Sequence, residues 1–185
     1  MSVPQTNTIT RLKYGKKARM GTMGIVLKGD KVLLIHRRLK NKTIKTDGPP
    51  DTWAFPGGGV DEDETPEETI VREIQEEVGL EVAIKHIGDE TVWGETDDFL
   101  EDDLWRCFFF VLEQVDPEQE PKIMEPHKHV GLMWMEWNEL WARIEAELAD
   151  DWEETERMRF FPSMWNMVHK YPKRWDAACL EKRLN

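Results

Sequence analysis

Cysteine is scarce in this sequence of 185 residues, with Cys107 and Cys179 as its two examples. Their spacing fits no thiolate metal motif, which removes structural zinc from consideration. Cys107 sits in an apolar run and reads as a buried small hydrophobe, so no disulfide is expected. Long hydrophobic runs are missing too. None approaches the ~20 residues that a membrane helix needs, which excludes a helical span. The segment Met1 to Thr10 is polar and has no hydrophobic signal core, so a cytoplasmic protein is the simplest expectation. Internal repeats and low-complexity linkers are absent, which excludes solenoids and tethers.

What is present suits one globular domain: 39% of residues are hydrophobic and 34% charged. A net charge of -12 would argue against a polyanionic partner if it were evenly spread, but it is not. Twelve of the 25 basic residues and one of the 37 acids, Asp30, fall between Arg11 and Lys45. Residues 1–17 are expected to form a basic tail, followed by a domain over 18–185 with a C-terminal helical extension. A solvated tail explains Arg11 to Arg19 more simply than RNA contact, so nucleic acid is not an expected partner.

Ala18 to Lys28 and Lys31 to Arg37 read as strands joined by a Gly29-Asp30 turn. Leu39 to Asp51 is a polar loop, and Trp53 to Phe55 a short strand stopped by Pro56 and three glycines. Thr65 to Val78 is a helix with clear ends. Thr65 caps it, Pro66 takes the first helical position, Glu68 completes a capping box and Gly79 ends it. Ile70, Val71, Ile74 and Val78 are expected on its core face. Further strands are expected at Glu81 to Trp93, Leu104 to Val115 and Leu132 to Trp137. Asn138 is expected to cap a helix to about Ala149. Trp152 to His169 reads as a second helix, interrupted at Pro162. This mixture without regular alternation points to an α/β fold, a mixed sheet between helices in an α/β/α sandwich.

Glu73, Glu76 and Glu77 lie at i, i+3 and i+4, so a helix places them on one face. Like charges at that spacing repel. A hard cation converts the penalty into binding, because carboxylate oxygens are what magnesium and manganese prefer. The glycines Gly57, Gly58 and Gly59 let the backbone approach a ligand, and a carbonyl there can join the carboxylates. Arg72, four residues before Glu76, can hold that carboxylate in place. The competing reading is a solvated acidic helix, since charge runs usually mean that. The glycine spacing, the capped helix and the lone arginine argue against it.

These residues resemble the signature of the Nudix hydrolases: Gly58, Glu64, then Arg72-Glu73-Ile74-Gln75-Glu76-Glu77-Val78-Gly79-Leu80. Every fixed position matches. The resemblance covers roughly Met20 to Trp141 and implies the Nudix α/β/α sandwich. It implies that Glu73, Glu76 and Glu77 bind magnesium or manganese, with the Gly57 carbonyl joining. Water would attack a diphosphate-linked small molecule. Gly58, Glu64 and Arg72 would then support the box, with Glu73 and Glu76 in the chemistry.

The substrate is less legible, because fold does not set it. The run Glu120-Pro121-Lys122 to Lys128, followed by Trp134 to Leu140, resembles MutT-type members that act on (deoxy)nucleoside triphosphates. In that group a carboxylate outside the box assists; Glu125 is the candidate here, with His127 and His129 behind it. A plain loop acid is the alternative for Glu125. The basic loop of Arg37, Arg38, Lys40, Lys42 and Lys45 can reach a polyphosphate, with Arg37 and Arg38 favoured because they end a strand. Trp93, Phe99, Trp105, Phe160 and Phe161 are candidates to stack a base, with Trp93 and Phe99 placed at a pocket lip; for each singly, core packing competes. Diphosphoinositol polyphosphates, prenyl diphosphates and a non-catalytic nucleotide sensor are the alternatives to a nucleotide substrate. The Trp-rich C-terminal third is compatible with a homodimer.

Overall fold

A computed structural model describes residues 18–38, 51–86, 91–100, 103–147 and 158–171. The expected N-terminal tail, Lys40, Lys42 and Lys45 and the end of the C-terminal extension lie outside these. Among the described residues, no helix is long and apolar enough to cross a membrane.

The hairpin forms as its turn signals require: β1 (Arg19–Lys28) pairs antiparallel with β2 (Lys31–Arg37) across Gly29. β3 (Trp53–Ala54), α1 (Pro66–Val78) and β4 (Val82–Ile84) follow. After them come β5 (Gly94–Leu100), β6 (Asp103–Gln114) and β7 (His129–Glu136). The chain closes with α2 (Trp137–Glu147) and α3 (Pro162–Lys170). The sheet runs β3-β2-β1-β6-β4, with β5 added on β6 and β7 on β2. β1 and β6 are parallel and the other pairs antiparallel, so the sheet is mixed.

Strand side chains alternate between faces, and that separates the helices. A Cβ at Gly24 would meet Ile70 and Ile74 of α1, whereas one at Gly21 would face Trp105 and Cys107. Ser163 of α3 donates to Cys107 Sγ at 3.4 Å. Helix α1 therefore covers one face and α3 the other, the expected α/β/α sandwich. Ile70, Ile74, Val78, Phe109, Phe110 and Leu112 fill the core between them. Cys107 is a free thiol whose pKa burial pushes up to about 12, consistent with a packing role.

Several elements differ from expectation. Among the described residues of Glu81 to Trp93, only β4 forms a strand. Strand β5 begins at Gly94, in a polar, acidic stretch outside the expected strands. It forms because Thr96 and Asp98 are buried and satisfied there: Thr96 Oγ1 donates to Asp98 at 2.8 Å, and Asn166 of α3 donates to its other oxygen. Val71 is 38% exposed, since it lies beside rather than on the Ile70-Ile74-Val78 stripe. Helix α2 starts at Trp137, whose N–H donates to the Asp30 carbonyl, so Asn138 is inside the helix rather than its cap. Residues 152–157 of the expected helix lie outside the described residues, and the segment 158–161 before α3 is extended rather than helical. Trp53 N–H donates to the Arg159 carbonyl and Phe161 N–H to the Trp53 carbonyl, which ties it to the edge of β3.

Candidate active site

Helix α1 forms the floor of the site. Its N-terminus is closed by the reciprocal capping box of Thr65 and Glu68, and Gly79 N–H closes the other end on the Gln75 carbonyl. The glycine loop is laced to β1: Gly24 N–H donates to the Pro56 carbonyl and Thr22 N–H to the Gly58 carbonyl, each at 2.8 Å. Between them Gly57 turns the other way. Its N–H donates to Glu77 Oε2 at 2.8 Å, and among the described residues its carbonyl takes no backbone bond of this kind. A Cβ on Gly57, at φ +150°, would lie 2.1 Å from the Thr22 carbonyl oxygen. One on Gly58 would lie 2.5 Å from the Glu73 carboxyl carbon. Both glycines are therefore needed for close approach, one to β1 and one to a carboxylate.

Arg72 is the hub of the box. Its Nε and Nη2 donate to the two oxygens of Glu64, each at 2.8 Å. Its Nη1 donates to Glu73 at 2.8 Å and to Glu76 at 3.1 Å. Hydrogen bonding from Arg72, then from Thr69, lowers the Glu64 pKa to about 2. Glu73 moves the other way: burial raises it first, and the charge of Glu77 adds to that. Glu73 and Glu77 are 8% and 4% exposed, so the carboxylate face is covered rather than solvated. Glu76 is the open member, with about half of its side chain exposed.

Glu125 reaches this helix because the chain before it is pinned to the helix end. The last carbonyls of an α-helix lack partners within it. Here Met124 N–H donates to the Glu77 carbonyl at 3.0 Å and Lys122 N–H to the Val78 carbonyl at 2.9 Å. Gln119 Nε2 takes the Gly79 carbonyl at 2.9 Å. The donor atoms of Glu77, Glu125 and His129 then lie within 4.8 Å of one another. His129 Nε2 is 2.9 Å from Glu77 Oε1, and Lys128 Nζ is 2.9 Å from Glu125 Oε2. Burial pulls the Lys128 ammonium down, but the Glu125 carboxylate outweighs it and the net shift is upward.

These groups fit a hard divalent cation. Buried Glu77 and half-buried Glu125 bring their oxygens together beside His129, and the Glu77 charge adds to burial in raising the pKa of Glu73, which marks charge in need of compensation.

The remaining candidates divide. Arg38 is brought to the site: its Nη2 donates to the Pro126 carbonyl at 2.9 Å, on the segment that carries Glu125. Arg37 turns toward Phe161, with its guanidinium 5.0 Å from the ring centroid. Trp93 is not at a pocket lip. It is 3% exposed and packs edge-on against Tyr171, because it precedes a strand rather than a loop. Phe99 lies in β5 opposite Leu104, and its side chain is outside the described ones. Phe160 and Phe161 are core residues. Trp105 instead flanks the loop, 3.7 Å from a Cβ at Gly59, under the Arg19 guanidinium. The bond from His129 to Glu77 was not readable in the sequence, where His129 stands only as a neighbour of Glu125.

Comparison with known proteins agrees with this geometry. The NUDIX domain family model matches residues 17–162. An RNA pyrophosphohydrolase of Hydrogenovibrio crunogenus is 50% identical over 54 residues, 29% of this chain and 30% of that protein. One of Pseudomonas putida is 42% identical over 59 residues, 32% of each chain. This chain thus spans about a third of the curated relatives it matches. Among solved structures, a MutT NUDIX hydrolase from Burkholderia pseudomallei is 25% identical with TM-score 0.53, covering 66% of this chain and 86% of that one. A MutT protein from Methanosarcina mazei shares the fold at TM-score 0.62 and 14% identity, covering 85% and 94%. With the family model covering most of its length, this chain belongs to the NUDIX domain family.

Proposed function

We propose that this chain is a divalent-cation-dependent pyrophosphohydrolase of the MutT type. It acts in the cytoplasm on nucleoside di- and triphosphates and releases a nucleoside monophosphate. The observation that carries this reading is the cluster of Glu77 and Glu125, with His129 beside them, at the helix that also carries buried Glu73. Glu73, Glu76, Glu77 and the Gly57 carbonyl would hold magnesium or manganese, joined by Glu125. Such a cation, when bound, supplies charge that polarises a phosphoryl oxygen and makes water a better nucleophile.

The chain's own residues do the rest. Glu76, the most open of the three box carboxylates, takes the proton of the attacking water, with Glu125 as the second candidate. Arg72 keeps the Glu76 carboxylate turned inward. Arg38 and Lys128, on either side of the Glu125 segment, offset charge on the leaving phosphate.

Phosphate and pyrophosphate release with magnesium or manganese tests the reading. The panel holds nucleoside tri- and diphosphates, nucleotide sugars, 5′-triphosphorylated RNA, a prenyl diphosphate and a diphosphoinositol polyphosphate. Nucleoside triphosphates should turn over best. Glu76→Gln should abolish turnover with circular dichroism unchanged, and full activity in that variant sinks the assignment. The names of the curated relatives favour RNA as a second substrate class, but the match is confined to about a third of each chain. Turnover of the prenyl or inositol compound alone would keep the chemistry and overturn the substrate. Silence across the panel would favour a nucleotide-binding module.

A further inference from the structure

His129 lies outside the signature and has no role in the proposed chemistry, yet it is 3% exposed and touches the centre of the site. Its position follows from an irregularity in β7. His36 pairs with Gly131, but Arg37 pairs with His129, so Val130 is an extra residue in the ladder. An unbroken ladder would put His129 on the same face as Gly131 and Met133. The bulge moves it to the other face, where its ring meets α1.

The contacts around the ring point to one tautomer. An ionised carboxylate only accepts, so the 2.9 Å contact with Glu77 Oε1 requires the proton on Nε2. Nδ1 is buried and has no partner among the described residues. A ring bound to a cation through Nε2 would carry its proton on Nδ1, where no acceptor stands among the described residues. Glu77 Oε2 is already held by Gly57 N–H, so the His129 bond leaves neither of its oxygens unanchored. The backbone N–H of the same residue donates to the Glu125 carbonyl at 3.0 Å.

We propose that His129 is a positioning residue of the cation site. Its Nε2–H orients Glu77 while its main chain holds the turn that carries Glu125. One residue thereby sets the separation of two carboxylates from different elements before a cation arrives. The proposal rests on the hydrolase reading for its purpose, not for its geometry.

Manganese alone is the probe, titrated into the full chain and followed by the electron paramagnetic resonance of the free ion. His129→Leu should weaken binding by roughly 10–100-fold, the usual effect of removing a ligand's hydrogen-bond partner. His129→Gln should stay close to wild type, because its amide Nε2–H is as many bonds from Cβ as the imidazole Nε2–H. The 15N spectrum of the unliganded wild type should show His129 protonated on Nε2 and bare on Nδ1, a readout that survives even if the leucine variant fails to fold. Unchanged affinity in His129→Leu, equal loss in both variants, or the Nδ1–H tautomer overturns the proposal. So does direct coupling of manganese to an imidazole nitrogen. A wild-type chain without manganese affinity refutes the hydrolase reading instead, and the tautomer still decides the His129 assignment.

Discussion

Gly58→Ala separates the fold of this protein from its chemistry. The new methyl would lie 2.5 Å from the Glu73 carboxyl carbon and 2.6 Å from both oxygens, against 3.4 Å for ordinary contact. Glu73 must therefore retreat by about 0.9 Å, and it can, because the obstacle is the end of a flexible side chain rather than backbone. The stability cost should stay near the low end of the ~1–3 kcal/mol typical of overpacking. The functional cost is larger. The retreat strains the 2.8 Å bond from Arg72 and displaces a carboxylate of the proposed cation site. A misplacement of about 1 Å at a reacting centre costs roughly 100-fold, or ~2.7 kcal/mol in the barrier. The assay is steady-state turnover of the preferred nucleotide beside a thermal melt of the same preparation. A variant that melts near wild type and loses about two decades of kcat fits the argument. A kcat within about threefold of wild type would refute it, since Glu73 would then tolerate the displacement.

Gly57→Ala should behave in the opposite manner. Its methyl would meet the Thr22 carbonyl oxygen at 2.1 Å, and backbone does not yield as a side chain does. A loss of ~1–3 kcal/mol or more is expected in urea denaturation, clearly exceeding that of Gly58→Ala; the reverse order would contradict the packing described. Acid unfolding should report on Glu64, whose pKa falls from an ordinary 4.5 to about 2 on folding. A depressed carboxyl stabilises the fold in full above pH 4.5 and loses that contribution as pH falls toward 2. Wild type should therefore exceed Glu64→Gln in stability above pH 4.5 and converge on it toward pH 2, and a constant gap would argue against the Arg72 pair as the cause.

The parts of the structure that were legible in the sequence are those decided locally. The capping box of α1 lies within four consecutive residues, and the i, i+3, i+4 spacing of Glu73, Glu76 and Glu77 needs only a helix to become a face. The hairpin of β1 and β2 likewise depends on its own turn. Strand β5 was hidden because its sequence is acidic, and Asp98 becomes acceptable inside only when Asn166 of α3 arrives to bond it. Trp93 was misplaced for the same reason, since its burial follows from the strand that begins after it. His129 needed two distant events, the ladder between β2 and β7 and a bulge within it, neither of which leaves a local mark. Glu125 was found by its resemblance to a family segment, not by any spacing.

The span from Lys122 to His129 is anchored at both ends, by bonds to the final carbonyls of α1 and by the pairing of His129 with Arg37. It acts as a ruler between a helix and a strand, with Glu125 at a set mark. One inserted residue would add ~3.3 Å of chain, more than the ~2.0–2.6 Å over which a carboxylate oxygen binds magnesium or calcium-sized ions. The exposed turn Asp116 to Glu118 bears no such restriction. Related chains that differ in length between β6 and β7 should therefore carry the difference on the near side of Lys122, and leave the ruler uncut.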